Sequence, residues 1–233
     1  MLHFYGCSYG FYGTTDGSSP NAHKWSVDGS IPYYLSQFLH IELNNQSWAG
    51  ATNFQIFDNF IVNGLSTLQK EDILIFQWPH VRKIMTNYNA PIWLHDSLVI
   101  NTPKENQERW YNGVSSDKIE TMCNVYNESF FIPTQEIYKM LSFNEYIRNK
   151  VNCRFYYSIC DSEDTFDVLA PHIRNMFLDD ASLLTPSNNE KTMTDFVNGN
   201  PEHVHTCKHP TKFGCSLIAK NYADQIIERQ YDI

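Results

Sequence analysis

The sequence predicts a three-layer α/β protein, in which a mostly parallel sheet lies between two layers of helices. Apolar runs of strand length alternate with segments of helical period along the whole chain. One run, 72–78 (DILIFQW), is unbroken, which is typical of a strand buried on both faces of a parallel sheet. This alternation predicts strand–helix–strand crossovers, with a functional site at the carboxyl ends of the strands.

The composition agrees with a folded domain of this class. Of the 233 residues, 42% are hydrophobic and 18% are charged, which is unlike a disordered chain. We expect a single domain over 1–233, with a long insertion at about 79–112 that has no sustained period. The six cysteines are too dispersed to form a disulfide framework, so we expect reduced thiols.

The charge and the hydropathy pattern exclude several classes of protein. With 17 Lys and Arg against 26 Asp and Glu, the formal charge is −9, so we expect no nucleic-acid partner held through its phosphates. No run approaches the roughly 18 apolar residues of a membrane span. The start of the chain, MLHFYGCSYG, lacks the features of a signal peptide, so we expect a cytoplasmic protein.

The individual elements follow from period, caps and breakers. Ser30 is the expected N-cap of the first helix, with Pro32 in its first turn. Pro133 and Pro171 are expected to interrupt two later helices, and 185–203 is expected to be a surface loop. The predicted strands are 2–6, 41–47, 72–78 and 151–160; the predicted helices are 31–40, 53–68, 114–149, 166–177 and 211–230.

Small and polar residues end three of the strands and precede the last helix. Gly6-Cys7-Ser8 follows the first strand, 48–53 (WAGATN) follows the second, and Gln77 lies near the end of the third. His209 comes just before the last helix. Because the carboxyl ends of parallel strands lie at one edge of the sheet, we expect these residues to converge. They supply a nucleophile, a general base and polar turns, which are the roles that acyl transfer needs.

The order of these blocks resembles that of the SGNH (GDSL-like) hydrolases, in particular the compact phage-encoded members whose first block reads Gly-Cys-Ser. The resemblance implies a flavodoxin-like three-layer fold, with Ser8 as nucleophile and His209 as general base. It also implies an oxyanion hole built from the backbone N–H groups of Ser8 and Gly50, with Asn53 in the small-residue turn that phage members share. The implied activity is that of a serine esterase acting on acyl or acetyl esters, including esters on carbohydrate, with no cofactor.

Two positions depart from the family pattern. Where the third block usually supplies an Asn to the oxyanion hole, this chain has Gln77 as a substitute donor. Where the last block usually reads Asp-x-x-His, Thr206 stands three residues before His209. Thr206, Asp195 or a backbone carbonyl is therefore the candidate to orient the histidine. The departures also allow an alternative, in which the fold is kept without catalysis as a component of a phage virion that binds other virion proteins.

A metal site is a further alternative in the same segment. His203, His205, Cys207 and His209 alternate in HVHTCKH, Cys215 follows, and His and Cys are the preferred zinc ligands. On an extended chain, however, alternate residues lie about 6.6 Å apart, which makes a poor tetrahedral cage. A polar turn rich in histidine is the simpler interpretation.

Aromatic residues are concentrated in and just before the insertion. They suggest either a lid that contacts a substrate or partner, or side chains that pack the insertion onto the domain. The sequence leaves these alternatives open. The residues concerned are Trp78, Tyr88, Trp93, Trp110 and Tyr111.

Overall fold

The computed structural model describes residues 1–10, 12–15, 23–48, 51–79, 83–87, 90–93, 131–167, 169–205 and 209–230. The four predicted strands alternate with helices as the sequence predicts, but two antiparallel strand pairs, 12–15 with 23–26 and 83–87 with 90–93, were not predicted. The strands are β1 (Leu2–Tyr5), β2 (Tyr12–Thr15), β3 (His23–Ser26), β4 (Leu43–Asn45), β5 (Ile73–Trp78), β6 (Lys83–Asn87), β7 (Ala90–Trp93) and β8 (Arg154–Ile159). The α-helices are α1 (Ile31–Leu39), α2 (Asn53–Asn59), α3 (Phe131–Lys150), α4 (Pro171–Leu178), α5 (Met193–Gly199) and α6 (Lys212–Glu228).

Within these ranges, four strands form one parallel sheet in the order β4-β1-β5-β8. Numbered by their place in the chain, these strands lie in the order 2-1-3-4, which is the start of the flavodoxin-like winding. The segment 182–184 extends this order, because Leu183 makes a parallel bridge to Tyr157 on the outer side of β8. Ser8 follows β1, which has a neighbouring strand on each side, so its turn lies at the middle of the carboxyl edge.

Two hydrophobic clusters lie on opposite faces of the sheet, and β5 contributes to both. Ile73 and Ile75 belong to one cluster, whereas Leu74, Phe76 and Trp78 belong to the other. This is the alternation expected of a strand buried on both faces. The first cluster also includes residues of α1, α5 and α6 (Ile31, Leu35, Phe196, Ile218 and Tyr222), and the second includes residues of α2, α3 and α4 (Ile56, Ile137, Met140 and Phe177). The prediction of a three-layer α/β architecture is confirmed.

Helix caps account for where several helices begin. Ser30 Oγ accepts a hydrogen bond from the Tyr33 N–H at 3.3 Å, as expected for the N-cap of α1. Pro171 does not interrupt a helix, contrary to the prediction. It is the first residue of α4, where the missing N–H would have had no intrahelical partner. Pro133 is the third described residue of α3, and a break near it stays a prediction because the residues before Phe131 are not described. The predicted helical residues 114–130 lie outside the described part of the chain.

The predicted helix 53–68 is not one regular helix. After α2 the chain continues as a π-helix, Phe60–Gly64, and then as a 3₁₀ turn, Leu65–Thr67. The hydroxyl of Tyr5 lies against Gly64, where a Cβ atom would overlap it. Burial raises the pKa of Tyr5 to about 12, so this hydroxyl stays neutral. We attribute the widened turn to this close approach between β1 and the helix.

The prediction that 185–203 is a surface loop is wrong in its second half. The segment contains α5, and Met193, Phe196 and Val197 on that helix are buried in the first cluster. Thr192 caps the helix by accepting a hydrogen bond from the N–H of Asp195 at 3.2 Å. The helix is only seven residues long and has Asn, Gly and Pro residues around it, so its apolar residues do not show a helical period in the sequence.

The predicted insertion at about 79–112 is described only at Pro79 and in β6 and β7, which pair antiparallel. Trp110, Tyr88 and Tyr111 lie outside the described residues. No helix in the described ranges combines the length and the apolar character that crossing a membrane would require.

Candidate active site

Ser8 begins a tight turn directly after β1. The turn is a 3₁₀ helix, Ser8–Gly10, closed by a hydrogen bond from the Gly10 N–H to the Cys7 carbonyl at 3.0 Å. Gly10 packs against Ser47, whose hydroxyl occupies the space that a Cβ atom on Gly10 would need. The sequence around Ser8 therefore produces a compact turn that holds a half-buried hydroxyl at the edge of the sheet.

His209 is held by a short antiparallel pairing that precedes α6. Val204 pairs with Pro210, and two backbone hydrogen bonds of 2.8 Å flank the bridge. One runs from the His205 N–H to the His209 carbonyl, and the other from the Thr211 N–H to the His203 carbonyl. Because these bonds involve only main-chain atoms, the imidazole of His209 is positioned without being used in the pairing.

The structure brings Ser8 and His209 together. The distance between Ser8 Oγ and His209 Nε2 is 3.0 Å, although the residues are 201 positions apart in the chain. This is a hydrogen-bond distance, and it is the one that a general base needs in order to take a proton from the serine hydroxyl. The ring of Tyr9, which is buried, lies 5.1 Å from the imidazole ring and forms one wall of the site.

Tyr9 is a site residue that the sequence argument did not single out. In the sequence, only its position next to Ser8 could have indicated Tyr9, and a tyrosine in a glycine-rich segment does not point to any particular role. Cys7, on the other side of Ser8, is buried and lies against Cys160, with 3.7 Å between the two sulfur atoms. Both neighbours of Ser8 therefore pack into the domain, and this packing fixes the position of the turn that carries the serine.

Gln77 lies beside the residues that precede Ser8. It is fully buried, and its Oε1 accepts a long hydrogen bond from the Cys7 thiol at 3.9 Å. A Cβ atom on Gly6 would come within 3.1 Å of the Gln77 side chain, so the two strand ends are in close contact here. The Nε2 atom of Gln77 is buried and has no hydrogen-bond partner among the described residues. Buried donors of this kind are rare, and a ligand or reacting group is one explanation for them.

Asn53 is buried in the same way at the start of α2. Within the part of the chain that the structure describes, neither its Nδ2 nor its Oδ1 has a hydrogen-bond partner, although the residue is fully buried. The preceding Thr52 caps the helix together with Gln55, so capping does not require the Asn53 side chain. Gly50, the other predicted member of this turn, lies outside the described residues.

Of the two residues predicted to orient His209, Thr206 lies outside the described part of the chain and Asp195 lies inside it. Asp195 lies in the first turn of α5, where its Oδ2 accepts hydrogen bonds from the Thr192 hydroxyl at 2.7 Å and from the Glu163 N–H at 3.0 Å. These contacts give Asp195 a role in capping α5 and in attaching it to the loop after β8.

The residues of the alternative zinc site do not form a ligand set in the described ranges, where no three His, Cys, Asp or Glu side chains are grouped closely enough to hold a metal ion. Burial raises the pKa of Cys215 to about 12, so its thiol does not ionise readily to the thiolate that binds zinc. His203 packs edge-on against the ring of Phe213, with 5.1 Å between ring centroids. Cys207 lies outside the described residues.

Gly214 in α6 controls how closely this helix approaches the His209 segment. A Cβ atom on Gly214 would lie 2.5 Å from the His203 carbonyl oxygen and 3.2 Å from Pro210 Cβ. We expect Gly214→Ala to displace the paired segment and to lower the free energy of unfolding by about 1–3 kcal/mol, as measured by urea denaturation.

Gly199→Ala is the matched control for that substitution. A Cβ atom on Gly199 would contact only the carboxylate of Glu190, at 3.0 Å, which is the end of a side chain that can rotate away. We expect this variant to keep the wild-type stability. An equal effect of the two substitutions would contradict the close approach at Gly214.

Comparisons with known proteins add two distant structural matches. No protein-family model matches the chain, and no curated protein sequence matches it. A protein assigned to the G-D-S-L family of lipolytic proteins from Desulfitobacterium hafniense DCB-2 is 12% identical over 96% of this chain and 98% of its own, with a TM-score of 0.48. A protein described as a GDSL-like lipase from Parabacteroides merdae ATCC 43184 is 12% identical over 96% of this chain and 94% of its own, with a TM-score of 0.49. At this identity the alignments do not say which residues act in this chain.

Proposed function

We propose that the protein is a serine ester hydrolase of the SGNH type, with Ser8 as nucleophile and His209 as general base. The observation that carries the proposal is the 3.0 Å distance between Ser8 Oγ and His209 Nε2. It joins a serine at the end of the first strand to a histidine before the last helix, which is where the block order of the sequence predicts the two residues.

In the proposed reaction, Ser8 Oγ attacks the ester carbonyl while His209 Nε2 takes the hydroxyl proton. The tetrahedral intermediate collapses to an acyl-serine, and the imidazolium returns the proton to the departing alcohol. A water molecule then attacks the acyl-serine with His209 again as base, which releases the acid and restores Ser8. No cofactor takes part.

The oxyanion needs donors that are fixed before the reaction begins. We assign this role to the N–H groups of Ser8 and Gly50, together with the side-chain amides of Gln77 and Asn53. The support for the two amides is that both are buried without a hydrogen-bond partner. A donor that folding leaves unpaired loses no existing bond when it binds a developing negative charge.

The other nitrogen of His209 needs an acceptor that orients the ring and stabilises the imidazolium. We assign this role to Thr206 or to a backbone carbonyl, because the described contacts of Asp195 Oδ2 are with the N-cap of α5 and with the loop after β8. A hydroxyl or a carbonyl carries no net charge and stabilises an imidazolium less than a carboxylate does, so with this assignment we expect turnover to be slow for this class of enzyme.

We expect a simple acyl or acetyl ester to be a substrate, and stopped-flow kinetics with p-nitrophenyl acetate test this. If an acyl-serine forms, the first turnover should release a burst of p-nitrophenolate that is stoichiometric with protein. Absence of both burst and steady-state hydrolysis would favour the alternative, in which the fold serves as a scaffold in a phage particle. That alternative is supported by Thr206, which stands where the family pattern has an acid.

A further inference from the structure

Two buried thiols meet directly beside the Ser8 turn. Cys7 precedes the serine and Cys160 follows β8, and both side chains are almost fully buried. Their sulfur atoms are 3.7 Å apart, although the residues are 153 positions apart in the chain, and the pair is not joined by a disulfide. The proposed acyl transfer uses neither sulfur, so that reaction does not explain the contact.

The contact depends on how the chain leaves β1. Neighbouring parallel strands lie about 4.8 Å apart, so β1 and β8, on either side of β5, are about 10 Å apart within the sheet. At the carboxyl edge the chain after β1 leans onto β5, where a Cβ atom on Gly6 would lie only 3.1 Å from Gln77 Cβ. This lean carries the Cys7 side chain over Gln77, so that its sulfur lies 3.9 Å from Oε1 and meets Cys160.

A disulfide between these sulfurs would displace the Ser8 turn. An S–S bond is about 2.05 Å long, so the two atoms must approach each other by about 1.6 Å. The main chain at Cys160 is held by its N–H, which donates to the Trp78 carbonyl at 2.9 Å, and by its carbonyl, which accepts the Thr194 N–H at 3.2 Å. The Cys7 carbonyl instead accepts the hydrogen bond that closes the Ser8 turn, at 3.0 Å. We therefore expect Cys7 to move toward Cys160 and to take the turn with it.

We propose that Cys7 and Cys160 form a reversible disulfide that displaces the Ser8 turn and so switches the site off under oxidising conditions. The loss of activity rests on the proposed function, whereas formation of the bond and movement of the turn do not. In a reducing compartment thiols are the resting form, and the disulfides that do form there are usually transient and catalytic or redox-sensing.

A peroxide supplies the oxidising equivalents, with hydrogen peroxide as the simplest case. A small oxidant is needed because both thiols are almost fully buried. One cysteine sulfur attacks a peroxide oxygen, which breaks the O–O bond, leaves a sulfenic acid and releases one water molecule. The second sulfur attacks the sulfenic sulfur, forms the S–S bond and releases the hydroxyl group as a second water molecule. The two thiols thus lose two electrons and two protons, which the peroxide takes up. A dithiol reverses the step by thiol–disulfide exchange and is itself oxidised.

The geometry of the site gives the expected effect on turnover. Ser8 Oγ lies 3.0 Å from His209 Nε2, and a displacement of about 1 Å takes this pair beyond hydrogen-bond distance. Misplacement of reacting groups by about 1 Å costs about 10²-fold in rate. We therefore expect kcat for p-nitrophenyl acetate to fall by about 10²-fold in the oxidised protein and to return when dithiothreitol is added.

Oxidation of the full chain by hydrogen peroxide tests the proposal through bond formation, movement of the turn and ester turnover. After alkylation under denaturing conditions and digestion without reductant, mass mapping should find one pair of peptides joined through Cys7 and Cys160. In proton–nitrogen NMR correlation spectra, the amide signals of residues 7–10 should shift on oxidation and return with dithiothreitol. Ester turnover should fall and recover in parallel.

Cys160→Ala removes one sulfur and leaves the residues of the turn unchanged. This variant should show no linked peptides, no shift of the turn signals and no loss of turnover on oxidation. Cys215→Ala is the matched control, because Cys215 is buried in the same hydrophobic cluster but its sulfur lies against the Pro210 carbonyl oxygen at 3.8 Å. The control should keep the full response.

Absence of the linked peptides after oxidation, or an equal response in Cys160→Ala, would overturn the proposal. A linked protein whose turn signals and turnover equal those of the reduced form would overturn it as well. If the reduced protein hydrolyses no ester, the proposed function fails, and the linked peptides and the turn signals still decide whether oxidation moves the turn.

Discussion

Replacement of Ser8 or His209 by alanine is expected to lower kcat for p-nitrophenyl acetate by about 10⁴- to 10⁶-fold, the range found for the corresponding residues of serine proteases. Without Ser8 there is no atom to accept the acyl group, and without His209 the hydroxyl keeps its proton at the moment of attack. Because the two residues act through one hydrogen bond of 3.0 Å, the double substitution should cost little more than either single one.

Both variants should fold. The bonds that hold the His209 segment are main-chain bonds, and the turn at Ser8 closes through the Gly10 N–H. His172→Ala is the control for His209→Ala, because His172 is exposed in the first turn of α4 and should leave kcat unchanged. Additive losses in the double variant would contradict a shared proton transfer.

Replacement of Gln77 by leucine is expected to lower kcat by about 10²- to 10³-fold, which is the usual cost of removing one oxyanion donor. The same substitution should leave the free energy of unfolding unchanged or raise it. Leucine has a similar volume, and it removes a buried amide nitrogen that has no partner among the described residues. Activity and stability would then change in opposite directions, as measured by ester hydrolysis and urea denaturation.

Asn144→Leu provides the opposite case. Asn144 is also a buried amide close to the end of β5, and its Nδ2, like Gln77 Nε2, has no hydrogen-bond partner among the described residues. The difference lies at the amide oxygen: Asn144 Oδ1 accepts a hydrogen bond from Trp78 Nε1 at 2.9 Å, whereas Gln77 Oε1 accepts the long one from the Cys7 thiol. Removing that acceptor should cost about 1–3 kcal/mol of stability, because the indole N–H stays buried without a partner. We expect kcat to be unchanged. If Gln77→Leu behaved like Asn144→Leu, the oxyanion role of Gln77 would be wrong.

Much of the fold could be predicted from local patterns. The run 72–78 identifies a strand buried on both faces, and it becomes β5 with side chains in both hydrophobic clusters. Pro171 was misinterpreted as a break because proline is compatible with the first turn of a helix as well as incompatible with its interior. The helix α5 was missed because its seven residues are too few to show a period among their polar neighbours.

The proximity of two candidate site residues could be predicted in part. The strand ends and the start of the last helix predict that Ser8 and His209 lie at the same edge of the sheet, but their contact at 3.0 Å depends on tertiary packing. It requires the pairing of Val204 with Pro210 and the close approach of Gly214 to the His203 carbonyl. The π-helix Phe60–Gly64 could not be predicted at all, because the local sequence does not distinguish it from an ordinary helix.

Labelling with a fluorophosphonate, followed by mass mapping of the modified peptide, tests the assignment of Ser8 most directly. Only a serine whose proton is accepted by a nearby base should react readily. The account predicts one adduct per chain, located on Ser8, and loss of that adduct in the Ser8→Ala and His209→Ala variants. Failure of the wild-type protein to react, or an adduct on another residue that persists in Ser8→Ala, would contradict it.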